Sequence, residues 1–167
     1  MVMGKGATRA MPGGKKGARK VAAHILIVEA RFYPDIADEL ARGAVAVLER
    51  TGATYERVEV LGAFELPAAI RFAHAGRKGK KRFDGYVALG CVIRGETSHY
   101  DLVCNECARG LQSLALDHSL ALGFGLLTCE NREQALVRAA VSMGDKGGVA
   151  ARACLDQLAL KRAFGAG

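Results

Sequence analysis

Apolar positions along this chain come in two spacings. Residues 25–28 form an unbroken Ile-Leu-Ile-Val run between His24 and Glu29, which predicts a strand buried on both faces. Ile36, Leu40, Ala44, Val47 and Leu48 then recur at helical intervals. Pro34 stands where a helix tolerates a missing N–H and Gly52 marks an end, so a helix is predicted over about 34–51. Residues 54–60 alternate, with Tyr55, Val58 and Val60 among charges, and predict a second strand, less buried on one side. After a loop at 61–64, Pro67 starts a helix through Ile70, Phe72 and Ala73. Residues 86–93 are apolar almost throughout and predict a third, central strand. A long helix follows over about 98–118, with Leu102, Val103, Leu111, Leu114 and Ala115 as its packed face. A short fourth strand is predicted at 122–127. Two more helices are predicted over about 132–142 and 149–163, with Met143 to Gly148 interrupting them.

Strand followed by helix, four times over, implies an α/β protein: a three-layer α/β/α sandwich around a four-stranded parallel sheet with right-handed crossovers. Ligands of such sheets sit beyond the carboxyl ends of the strands. Residues 30–33, 61–65, 94–99 and 128–131 fall there, and they hold much of the unusual chemistry in the chain.

Composition narrows this further. A length of 167 residues suits one domain, placed at 24–167. High glycine and the absence of tryptophan favour tightly packed helices over a β-sandwich. No apolar run approaches a bilayer span, so no membrane partner is expected. The net charge of +7 is local: Lys5, Arg9, Lys15, Lys16, Arg19 and Lys20 lie in residues 1–23, which hold no acid. The rest is close to neutral, so no nucleic-acid footprint is expected on the domain. Residues 1–23 predict a disordered basic arm. An organelle transit peptide is the alternative there, opposed by few serines and many glycines. The run 77–82 reads as a solvated basic loop. Five cysteines, an odd number without a secretory leader, imply free thiols in a reducing cytosol.

The stretch 89–101, Leu-Gly-Cys-Val-Ile-Arg-Gly-Glu-Thr-Ser-His-Tyr-Asp, carries the most chemistry. A strand that turns through Arg94, Gly95, Glu96 and Thr97 into a helix start can present N–H groups to an anion, or be an ordinary turn capped by Ser or Thr. His99, beside that turn, is a candidate proton-transfer residue, since histidine changes charge near physiological pH. His24, His74 and His118 read as structural. Glu65 could favour a helix N-terminus or accept hydrogen bonds from hydroxyls. Phe32 could be a core plug or a platform for a planar ring. Cys104 and Cys107 form a CxxC inside a predicted helix, where redox or zinc chemistry has no context, and no metal-ligand spacing appears elsewhere.

With these residues laid out, the chain from about 25 to 164 closely resembles the lumazine synthase family of riboflavin biosynthesis. The resemblance is carried by Arg31-Phe32, by Gly62-Ala63-Phe64-Glu65-Leu66-Pro67 and by the whole of 89–101. Asn105-Glu106, Phe124-Gly125, Glu133-Gln134-Ala135 with Arg138, and Lys146-Gly147 add to it. It implies a flavodoxin-like fold and a transferase without metal or redox cofactor. The implied reaction condenses 5-amino-6-(D-ribitylamino)uracil with 3,4-dihydroxy-2-butanone 4-phosphate. By the family pattern Phe32 stacks on the pyrimidine, Ala63 and Glu65 bind the ribityl chain, Phe64 is a further substrate-binding residue, and Cys91, Val92 and Ile93 contact the pyrimidine through backbone groups. Gly95, Glu96 and Thr97 hold phosphate with Arg138, and His99 moves protons. Phe124, Arg138 and Lys146 come from a neighbouring subunit. The implied unit is a homopentamer, the building block of decamers and sixty-subunit shells.

Three residues and one segment depart from the family pattern. Tyr33 replaces an asparagine, Leu61 a proline and Cys91 a threonine, and residues 140–145 differ from the turn associated with shells. Two other functions compete: a non-catalytic flavin- or lumazine-binding relative, and a surface or nucleic-acid contact through the basic arm.

Overall fold

The computed structural model describes residues 22–76 and 83–166. The basic loop expected at 77–82 lies outside them, as does the arm except for Ala22 and Ala23. Those two are tied to the domain: Arg162 donates to the Ala22 carbonyl (2.9 Å) and the Thr54 amide to that of Ala23 (2.9 Å).

Strands β1 (His24–Ala30), β2 (Thr54–Val60), β3 (Gly85–Ile93) and β4 (Ala121–Cys129) pair in parallel in the order β2-β1-β3-β4. That is the order of a flavodoxin-like doubly wound sheet, as expected. Around it lie α1 (Pro34–Thr51), α2 (Leu66–Ala75), α3 (His99–Asp117), α4 (Arg132–Ala139) and α5 (Lys146–Ala163).

The pleat sorts the side chains between two cores. Ile25, Ile27, Val87, Leu89 and Cys91 point to α1, α4 and α5. Leu26, Val28, Tyr86, Ala88 and Leu122 point to α2 and α3. Covered on both faces, β1 and β3 are apolar without alternation, which is why their sequences are unbroken runs. The edge strand β2 has no fully buried residue, matching its charged alternation.

Several boundaries differ from the periodicity. A 3₁₀ turn, Ala63–Glu65, precedes α2 where a plain loop was expected. β4 runs on to Cys129. Ala140 leaves the helical region (φ −54°, ψ 126°), so α4 stops at Ala139 instead of 142. The start of α5 is the larger correction. Gly147 and Gly148 predict a break before Val149, yet both lie buried in its first turn. A Cβ on Gly147 would stand 1.8 Å from the Leu40 carbonyl oxygen, so only glycine lets α5 approach α1 this closely. Leu102 is also corrected. It was assigned to the packed face of α3 and is 56% exposed, while Tyr100, Cys107 and Leu111 are buried. All five cysteines are free thiols.

Candidate active site

The loops after β1 and β2, the carboxyl end of β3 and the start of α3 enclose a cavity of about 500 Å³. It lies beyond the carboxyl ends of the strands, where a parallel sheet leaves unpaired loops. Phe32, Ala63, Phe64, Glu65, Cys91, Val92, Ile93 and His99 all line it. Tyr33, Leu61, Gly62, Leu102 and Val103 complete the wall. Leu102 and Val103 stand three and four residues after His99, hence on its side of α3. That spacing was available in the sequence to find them.

Parts of this wall are held from behind. Arg31 fixes the first loop: its amide donates to Val60 (3.0 Å), and its guanidinium meets Glu29, Asp38 and Glu59. Phe32, the next residue, is 64% exposed toward the cavity, and Tyr33 meets its ring edge-on with centroids 5.0 Å apart. Tyr33 thus props the ring. Glu65 accepts from the Gly62 amide at 3.0 Å and so closes the 3₁₀ turn. Burial, and then the neighbouring Cys129 thiol, push the Cys91 thiol up to about 12. It is a neutral wall residue and no nucleophile.

The turn at 94–98 is exposed and joins β3 to the N-terminus of α3. No atom lies within 4 Å of where a Gly95 Cβ would be, so its backbone is open to a ligand. The helix is capped by Thr97, whose hydroxyl accepts from the His99 amide (3.3 Å); Ser98 makes no side-chain cap. Residues 128–131, expected at the site, do not line the cavity. They support the turn instead. The Arg94 amide donates to Cys129 and its side chain to Glu130.

Gly95, Glu96 and Thr97, in the turn, also fall outside the cavity lining, and three further expected residues stand elsewhere. Phe124, on the edge strand, lines a groove with Leu111, Leu116 and Gln157. Arg138 lies on α4 and donates to the Gln134 carbonyl (3.0 Å). Lys146 opens α5 behind Asp145, which adopts a left-handed conformation (φ 43°) and caps the helix by accepting from Gly148. None of the described residues lining the cavity is lysine or arginine. A phosphate at the turn would therefore lack a facing cation within that wall.

Among the described residues no group of three or more His, Cys, Asp or Glu could hold a metal ion, and no helix is long and apolar enough to cross a membrane.

Comparison with known proteins agrees with this architecture. The family model for 6,7-dimethyl-8-ribityllumazine synthase matches residues 22–162. The chain is 58% identical to 6,7-dimethyl-8-ribityllumazine synthase 1 of Rhizobium meliloti over 86% of its own length and 94% of that protein. It is 54% identical to the 6,7-dimethyl-8-ribityllumazine synthase of Agrobacterium fabrum, over 85% and 97% of the two chains. It is also 54% identical to that of Sphingopyxis alaskensis, over 87% and 99%. A match of this extent, over a cavity built from the motifs that carry it, means that the chain belongs to the 6,7-dimethyl-8-ribityllumazine synthase family.

Proposed function

We propose that this protein condenses 5-amino-6-(D-ribitylamino)uracil with 3,4-dihydroxy-2-butanone 4-phosphate. The products are 6,7-dimethyl-8-ribityllumazine, phosphate and water. The observation that carries this reading is the convergence of Phe32, Glu65, the 91–93 backbone and His99 on one cavity beside an open turn. Phe32 stacks on the pyrimidine. Ala63, Phe64 and Glu65 take the ribityl chain, and the backbone of Cys91, Val92 and Ile93 reads the ring edge. Gly95, Glu96 and Thr97 hold the phosphate at the start of α3, where the helix dipole favours an anion. His99 then moves protons in imine formation, phosphate elimination and ring closure. Two substrates held in register need little more than this.

We assign the missing cation to a second copy. Phe124, Arg138 and Lys146 of a neighbour close the cavity in a homopentamer. Arginine suits the phosphate because its fork donates twice. Two surface features support self-association. Leu102, Asn105, Arg109, Gln112 and Leu116 form an exposed stripe on α3 at alternating three- and four-residue intervals, the spacing of a helix–helix seam. Leu136, Val137 and Met143 are also exposed, beside α4. We place the protein in the cytoplasm, in keeping with five free thiols.

The test mixes the purified protein with both substrates and follows lumazine absorbance and fluorescence. Product formation is expected. Absence of product, with tight riboflavin binding, would replace this reading with that of a non-catalytic binder.

A further inference from the structure

Arg94 leads the turn that we assign to phosphate, and its position suggests a phosphate ligand. Its side chain is already committed. Nη1 and Nη2 reach both oxygens of Asp101 (3.3 and 3.2 Å), Nε donates to Glu130 (2.8 Å), and the guanidinium lies 4.1 Å from the Tyr100 ring centre. Tyr100 is a firm seat because it is buried. Two carboxylates and a ring face leave the cation neutralised and directed away from a free anion.

The connectivity gives this arrangement a purpose. Asp101 follows the turn and Arg94 precedes it, so their pairing closes a clasp around residues 95–100, which include Gly95, Thr97 and His99. Glu130 ties the clasp to the loop after β4. We infer that Arg94 is a positioning residue: it holds the turn in the shape that presents its amides to phosphate and sets His99 beside them, and it does not bind phosphate itself. This rests on the phosphate assignment of the turn made above.

Neutralising Asp101 separates the two roles by the sign of its effect. If Arg94 bound the anion, Asp101→Asn would free its guanidinium, remove a nearby negative charge and tighten phosphate binding. As a clasp, Asp101→Asn loosens the turn and weakens binding. Arg94→Lys divides them again, because a direct ligand keeps its charge whereas a clasp loses its fork.

The experiment uses the full chain and its Arg94→Lys, Asp101→Asn and Glu130→Gln variants, each checked for folding by thermal melting. Inorganic phosphate binding is measured by calorimetry, and KM is measured for each substrate separately. All three variants should raise the KM of the phosphate-bearing substrate and weaken phosphate by about tenfold or more, with the KM of the pyrimidine substrate little changed. Tighter phosphate binding in Asp101→Asn, or near-normal binding in Arg94→Lys, overturns the inference. A wild-type chain that binds phosphate but makes no product refutes the proposed reaction alone, and the phosphate titrations still decide the role of Arg94. Wild-type protein that neither binds phosphate nor turns over refutes both.

Discussion

Arg57 on the edge strand reaches across to Glu29 on β1 and grips both oxygens of a carboxylate that is fully buried (2.5 and 2.9 Å). Arg31 adds a third, longer contact at 3.3 Å. Glu29 is the one buried charged side chain among the described residues. Arg57→Ala should therefore destabilise the fold through the stranded carboxylate. The loss should be about 2–3 kcal/mol, below that of a fully buried pair, because Arg57 is partly solvated and Arg31 remains. Urea unfolding would measure it. A loss under about 0.5 kcal/mol would show that the pair is only a surface contact.

Gly123 on β4 allows a second close approach: a Cβ there would stand 2.0 Å from the Ala150 carbonyl oxygen in α5. That neighbour is backbone and cannot rotate away. Gly123→Ala and Gly147→Ala should each cost about 2 kcal/mol or more by forcing α5 outward. Gly95→Ala should leave the melting temperature nearly unchanged, since its Cβ direction is open. Equal melting temperatures for all three would contradict the close-packing account.

The proposed ligand roles divide by substrate. Phe32→Ala should raise the KM of the pyrimidine substrate by roughly five- to thirtyfold, the equivalent of one stacking contact of about 1–2 kcal/mol. Arg138→Ala should raise the KM of the phosphate-bearing substrate, by about tenfold or more, and leave the pyrimidine KM alone. Steady-state kinetics with each substrate varied in turn would check both. A shared effect on both KM values would remove the division.

Burial pushes the thiols of Cys91, Cys107 and Cys154 up to about 12 from an ordinary 9.0. The folded protein holds these protons longer than the unfolded chain does. The stabilisation is therefore complete below about pH 9 and is lost as pH rises toward 12. Each thiol contributes a slope of at most about 1.4 kcal/mol per pH unit in that window. Cys154→Ala should thus lose stability less steeply than wild type between pH 9 and 10.5, whatever its starting stability. Urea midpoints at several pH values give both slopes, and identical slopes would refute the claim.

The strand cores were legible in the sequence because continuous apolar runs mark strands covered on both faces. The loops after β1 and β2 were placed at the cavity by the position of strand ends, whereas 94–98 and 128–131 fall outside its lining, which strand ends alone do not reveal. The exposed Leu102 was misread because helical spacing identifies an apolar face without saying what covers it. The buried Gly147 and Gly148 were misread because low helix propensity was overridden by a tertiary contact with Leu40. The commitment of Arg94 to Asp101 and Glu130 was equally hidden, since the Glu130 partner lies 36 residues away in the chain.

The two faces of the sheet also differ in how much change they can absorb. Against α1 and α5, Gly123 and Gly147 meet main-chain oxygens. On the α2 and α3 side, the nearest neighbours of Gly90 and Gly110 are side-chain atoms of Ala30 and Pro67 at 3.0 Å, a milder conflict than the 1.8 and 2.0 Å approaches to main-chain oxygens. Mutational tolerance should therefore be lopsided. In a scan of single substitutions selected for folding alone, variants should survive more often on the α2 and α3 side than at Gly123 and Gly147. Divergence within the fold should then accumulate over α2 and α3 while the seam between α1, α5 and β4 stays almost frozen.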